Sequence, residues 1–197
     1  MRAYKRFNKR AFTLVELMIV VAIIGVLAAL AIYGVRRYMA SAKTSEAKNT
    51  VGAITRAAAA AFEREIAASE ILNPGDSGTG TNHQLCQSAA AVPAAVPPGN
   101  KYQPAEADWG GATEQTGWRC LKFSMTQPIY YQYNYLLGGG SGVPGAPGVG
   151  AAPDGFEAVA RGDLDNDGNL SGFVRGGTIF AGTLSVATQV HIDQEYE

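Results

Sequence analysis

The stretch "KRAFTLVELMIVVAIIGVLAALAIYGVRRY", residues 9–38, sets a single carboxylate, Glu16, at the head of an otherwise apolar run. Moving a carboxylate into hydrocarbon costs roughly 2.5–3.5 kcal/mol on insertion scales, so Glu16 needs a partner or a task. No residue from Leu17 to Val35 is charged, close to the ~20 apolar residues with which a helix crosses a bilayer. Arg2, Lys5, Arg6, Lys9 and Arg10 precede the run, and Arg36 and Arg37 close it. The leading charges favour a cytoplasmic N-terminus by the positive-inside tendency, against which Arg36 and Arg37 weigh.

Beyond the run no proline occurs before Pro74, and residues 36–70 are rich in Ala, Glu, Lys and Arg, all good helix formers apart from any packing. The spacing therefore predicts that the helix continues to about residue 72. Val51, Ile54, Ala58, Phe62 and Ile66 fall on one stripe, while Lys43, Glu46, Lys48, Arg56, Glu63 and Glu70 lie mostly elsewhere. Such a stripe needs an apolar surface to pack against. "NPGDSGTGTNH", residues 73–83, stops the helix, and an irregular region follows to residue 117.

Five stretches then read as strands: "WRCLKFSM" (118–125), "IYYQYNYLL" (129–137), "FEAVARG" (156–162), "FVRGGTIF" (173–180) and "TLSVATQVHI" (183–192). Their aromatic and β-branched content, partial alternation and short connections suit an antiparallel sheet with one face on the amphipathic helix. The expected fold class is α+β, a long N-terminal helix whose outer half packs on a small antiparallel sheet. Residues 12–35 form the apolar half of the helix and residues 36–197 the head, comprising the outer helix half 36–72, the loop region 73–117 and the sheet region 118–197.

The chain has 197 residues, with 16 basic and 17 acidic side chains and a formal net charge of −1, enough for one domain and an appendage. Since the first ten positions hold a large share of the basic residues, the remainder is acidic. That balance argues against a nucleic-acid binder. Cys86 and Cys120 have neither C-x-x-C spacing nor a histidine cluster beside them, which argues against zinc. If the head is extracytoplasmic, one disulfide closing that loop is the expected use.

"DLDNDGNLS", residues 163–171, begins like a calcium loop: Asp163, Asp165 and Asp167 alternate, Gly168 permits a sharp turn, and Asn169 offers a further oxygen. The twelfth position of such a loop is Val174 instead of a bidentate glutamate, and the flanks read as strands. A solvated acidic hairpin turn is therefore the expected state, with calcium as the alternative. His83 and His191 have no ligand spacing, and no nucleophile has a credible base, so neither catalysis nor a cofactor is expected. The tyrosines at 130, 131, 133 and 135 are expected to divide between core and solvent. Of Trp109 and Trp118, one reads as a buried anchor and the other as a loop residue.

With these residues in view, "KRAFTLVELMIVVAIIGVLAALAI" closely resembles the N-terminus of type IVa pilins, over residues 5–32. The resemblance implies the type IV pilin fold and residues 1–11 as a leader peptide. It implies a membrane-embedded prepilin peptidase that cuts between Ala11 and Phe12 and methylates the Phe12 amino group. It also implies that Glu16 acts in assembly, pairing with the N-terminal amine of a neighbouring subunit. The partners it implies are further copies of the chain in a helical homopolymer, the inner-membrane assembly machinery, the membrane before assembly and, as a further possibility, a surface polysaccharide. The implied function is a retractable extracellular filament for adhesion and twitching or gliding motility. A pseudopilin of type II secretion is the alternative, since it shares the same N-terminus.

Two features depart from the family pattern: Ala11 stands where glycine is usual before the cut, and Tyr33 where many members carry proline. "CQSAAAVPAAVPPG" and "GWRCLKFSMTQPIYYQYNY" further resemble the large pilins of gliding delta-proteobacteria such as myxobacteria. An ordinary secretory signal ending at the "ALA" of residues 29–31 is the competing expectation for the N-terminus. Glu16 inside the apolar run speaks against it.

Overall fold

The computed structural model describes residues 12–64, 66–67, 81–110 and 113–197. The chain divides into two compact units, Met1–Ala40 and Ser41–Glu197. A single helix, α1, runs Leu14–Glu63. From Leu14 to Met39 its residues are exposed, whereas in the second unit Ala47, Val51, Ile54, Ala58, Ala61 and Phe62 are buried. The i, i+3/i+4 stripe of the sequence is thus the packed face, as such spacing demands.

The helix ends well short of residue 72. Ile66–Ala67 form strand β1, which pairs antiparallel with β2, Thr81–Asn82. Tertiary partners take over where helix propensity alone would continue. His83 Nδ1 lies 3.0 Å from the Phe62 carbonyl, and the Arg64 guanidinium donates to the Cys120 carbonyl. A last-turn carbonyl that finds such a partner, as that of Phe62 does in His83, no longer needs another turn of helix.

The main sheet is antiparallel in the order β3-β4-β5-β6-β7, with β3 Ala89–Val92, β4 Gln132–Leu137, β5 Gly155–Gly162, β6 Ser171–Phe180 and β7 Thr183–Val186. A further strand, β8 (His191–Asp193), also pairs with β6, matching Gly172–Val174 while β7 matches Gly177–Phe180. The expected strand over 183–192 is therefore two strands sharing one long neighbour.

The stretch 118–125 is a second departure. Residues Gly117–Leu121 form a short helix, α2, ended by Lys122 in the left-handed conformation at φ 52°. A short apolar run does not distinguish strand from helix by pattern. Here Trp118 and Leu121, three apart, both face the core, and Trp118 Nε1 donates to the Ala90 carbonyl at 2.8 Å. The region expected to be irregular also contains β3 and a 3-10 turn at Glu106–Trp109.

The inner face of the sheet packs on the outer part of α1 through Tyr131, Tyr133, Tyr135, Phe156, Ala158, Ala160 and Phe173. Burial holds the phenols of these three tyrosines above their ordinary range; for Tyr133 the charge of Glu46 adds to it. The outer face is covered by the glycine-rich segment 138–150, which sets Val143 against Val159 and Val174. Strand β5 is consequently buried on both sides, its burial showing no alternation even though Glu157 and Arg161 lie within it.

Candidate functional site

Thr13 and Glu16 cap the start of α1 reciprocally. The Glu16 carboxylate accepts from the Thr13 amide at 2.8 Å and from its hydroxyl at 2.8 Å, while Thr13 Oγ1 accepts the Glu16 amide at 3.2 Å. Threonine followed three residues later by glutamate, ahead of an apolar run, is the capping-box signature. The spacing stands in the sequence, and sequence reasoning attended to the glutamate alone. Glu16 therefore has a local partner within its own chain, and its carboxylate belongs to the exposed first turn.

Around it, the large apolar side chains named from Phe12 to Met39 are 48–84 % exposed. The helix is apolar and long enough to cross a membrane, and none of that apolar window is buried, unlike the core helix of a soluble domain. Ala11 and the leader lie outside the described residues, while Phe12 is exposed at the N-terminal end.

In the second unit Cys86 and Cys120 are joined, with Cα atoms 5.9 Å apart. The bridge fastens the segment before β3 to α2. Both tryptophans are buried: Trp109 and Trp118 meet edge to face at 5.0 Å and share Phe123. The expectation of one loop tryptophan thus fails, because the 3-10 turn carries Trp109 into the core and its indole donates to the Met125 carbonyl at 2.9 Å. His83 and His191 stand apart, each on a backbone carbonyl.

Asp163, Asp165 and Asp167 lie with carboxylate oxygens within 4.8 Å of one another. The turn employs these oxygens internally. Asp163 accepts the amides of Asn166 at 2.6 Å and Gly168 at 3.2 Å. Asp167 accepts both the amide and the side-chain nitrogen of Asn169, so Asn169 donates to its neighbour. Val174 is buried on β6 under the glycine-rich segment and offers no ligand atom. The residue set fits a hydrogen-bonded turn better than a calcium cage, which needs six to eight converging oxygens. Partial burial, with the three aspartates nearby, holds the Glu197 carboxyl above its ordinary range.

A long N-terminal helix, apolar and of membrane-spanning length in its first part, followed by an antiparallel sheet, is consistent with the type IV pilin fold. The family model "Prokaryotic N-terminal methylation motif" matches residues 6–32. The chain is similar to the type IV major pilin protein PilA of Myxococcus xanthus, 47 % identical over 70 residues, 34 % of this chain and 32 % of that protein. It is also similar to the fimbrial protein EcpC of Eikenella corrodens, 52 % identical over 44 residues, 22 % of this chain and 29 % of that protein. The chain thus spans about a third of the length of the curated relatives it matches. No solved structure matches.

Proposed function

We propose that the chain is the precursor of a type IV pilus subunit. It is held in the inner membrane by the apolar run, cut between Ala11 and Phe12 by a prepilin peptidase, N-methylated on Phe12, and polymerised by the inner-membrane machinery into a retractable filament. The observation that carries this reading is the methylation motif over residues 6–32 leading into a helix whose apolar side chains find no cover among the described residues. Twenty or so exposed apolar residues require lipid or other helices around them. A homopolymer replaces the first by the second, and small residues such as Gly25, Ala28 and Ala29 let helix backbones approach.

Adhesion and motility, and any polysaccharide partner, follow from such a filament and belong to the same proposal. The test is intact mass and N-terminal sequencing of the protein from membranes and from sheared surface material. A chain lacking its first eleven residues, starting at methylated Phe12 and present in the sheared fraction, is the expected result. A processed chain confined to the envelope replaces this reading by the pseudopilin one. A chain starting at Ile32 removes both.

A further inference from the structure

Just ahead of β4, two ammonium groups share one tyrosine ring. Lys43 Nζ stands 4.6 Å and Lys101 Nζ 5.1 Å from the centre of the Tyr130 ring, both within cation–π reach. Two backbone elements bring these lysines together. On α1, Glu46, about one turn after Lys43, accepts the Tyr130 amide at 3.1 Å. On the other side Tyr102 and Ile129 exchange both backbone hydrogen bonds at 2.8 Å, which sets the next residues along, Lys101 and Tyr130, opposite each other in antiparallel fashion.

Among the described residues neither lysine has a carboxylate partner: the ion pairs are Lys48–Glu195 and Arg119–Glu114. Glu46 Oε1 is taken by the Tyr130 amide and the Tyr133 hydroxyl. Two like charges held on one ring repel each other, and a ring face engages only part of an ammonium's three donors. An anion between them turns that repulsion into two attractions and accepts the donors the ring leaves over.

Lys43 also lies close to the apolar run along α1. It comes eight residues after Val35, with Arg36 and Arg37 between, which is about 12 Å along a helix. The head-group layer is itself about 5–8 Å deep, and an extended lysine stem spans the remainder.

We propose that Lys43 and Lys101, braced on Tyr130, clamp the phosphate of an acidic phospholipid while the precursor is anchored in the bilayer. The clamp ties the head to the lipid surface before assembly. It rests on the membrane anchorage proposed above and not on polymerisation.

The test is amine acetylation of the full-length chain in nanodiscs of phosphatidylcholine alone and of an equal mixture of phosphatidylcholine and phosphatidylglycerol, read residue by residue from peptide masses. Lys122 is the internal control, being exposed and two residues from Cys120, whose carbonyl is bound by Arg64 beyond the far end of α1. The anionic lipid slows acetylation of Lys43 and Lys101 by about fivefold or more and leaves Lys122 unchanged, whereas millimolar inorganic phosphate added to phosphatidylcholine discs gives no such protection. In Lys43→Gln, Lys101 loses most of its protection, because the two lysines share one phosphate. Protection of Lys101 that survives Lys43→Gln, equal slowing at Lys122, or protection by inorganic phosphate overturns the clamp. Protection in phosphatidylcholine that grows with the number of chains per disc assigns the pair to a second copy instead and also overturns it. A chain that enters neither disc removes the anchorage and the clamp with it, while an inserted chain acetylated alike in both lipids removes the clamp alone.

Discussion

At residue 16 one carboxylate meets two demands. It closes the first turn of α1 on Thr13, and assembly, on the proposed function, asks it to meet a neighbour's amine. The two demands can be separated by substitution. Thr13→Ala removes the hydroxyl that caps the helix, at a cost of about 1 kcal/mol, yet keeps the charge, so filament yield is largely retained. Glu16→Ala removes both, and the protein is still cleaved but enters filaments poorly. The amounts in sheared and membrane fractions read the difference; equal sheared yields from Glu16→Ala and wild type sink the pairing role.

Asp108 provides the pH-dependent case at the same scale. The Ala105 amide, then the Tyr102 hydroxyl, hold its carboxyl below the usual range. Its contribution is therefore present above the unfolded value near 3.9 and is lost as pH falls through the lower folded one. Asp108→Asn flattens the acid limb of a melting-temperature profile below about pH 4. A variant whose acid limb coincides with that of wild type contradicts the assignment.

Among the elements, the seam between the outer part of α1 and β4 is held by more than apolar contact. Glu46 Oε1 accepts from the Tyr130 amide at 3.1 Å and from the Tyr133 hydroxyl at 3.0 Å. Glu46→Ala removes the carboxylate acceptor from a fully buried phenol and costs about 1–3 kcal/mol, whereas Glu46→Gln keeps an acceptor and costs less. Urea unfolding of the two variants gives the ordering, and a reversed order removes Glu46 from this seam. The bridge between Cys86 and Cys120 acts on the opposite flank. In the chain-entropy account a loop of this size is worth about 3–4 kcal/mol, so Cys86→Ser lowers the melting temperature by roughly 6–16 °C at this chain size. An unchanged melting temperature in oxidising buffer excludes that contribution.

The same elements show what pattern could reveal. The apolar stripe Val51–Ile54–Ala58–Phe62 repeats at helical spacing, and four strand regions combine aromatic and β-branched residues with partial alternation and short connections, so helix and sheet were legible. The end of α1 was not, because it depends on His83 and Cys120, far along the chain. Nor was α2, whose few residues are shaped by the disulfide and by Ala90. Glu157 lay unnoticed inside the run "FEAVARG" because its burial comes from a segment without periodicity, folded over the outer face of the sheet.

For the whole molecule, the division at residue 40 has an energetic meaning. Every buried residue among those described lies at Thr44 or beyond, so the core is built from the second unit's own residues. A charge placed in that run should then leave the head folded while changing where the protein resides. Val26→Arg is such a change: Val26 is exposed, and an arginine near the middle of a spanning helix costs about 2.5–3.5 kcal/mol on insertion scales. Substitutions that touch no packed feature alter stability by at most about 0.5 kcal/mol. The expected outcome is loss from the membrane fraction and from sheared filaments, with the unfolding transition of the detergent-solubilised chain unchanged. If the head melts earlier as well, the two units share stability and the apolar run is part of the fold. If membrane retention persists undiminished, the run does not serve as the anchor, and the exposed residues between Phe12 and Met39 require another cover.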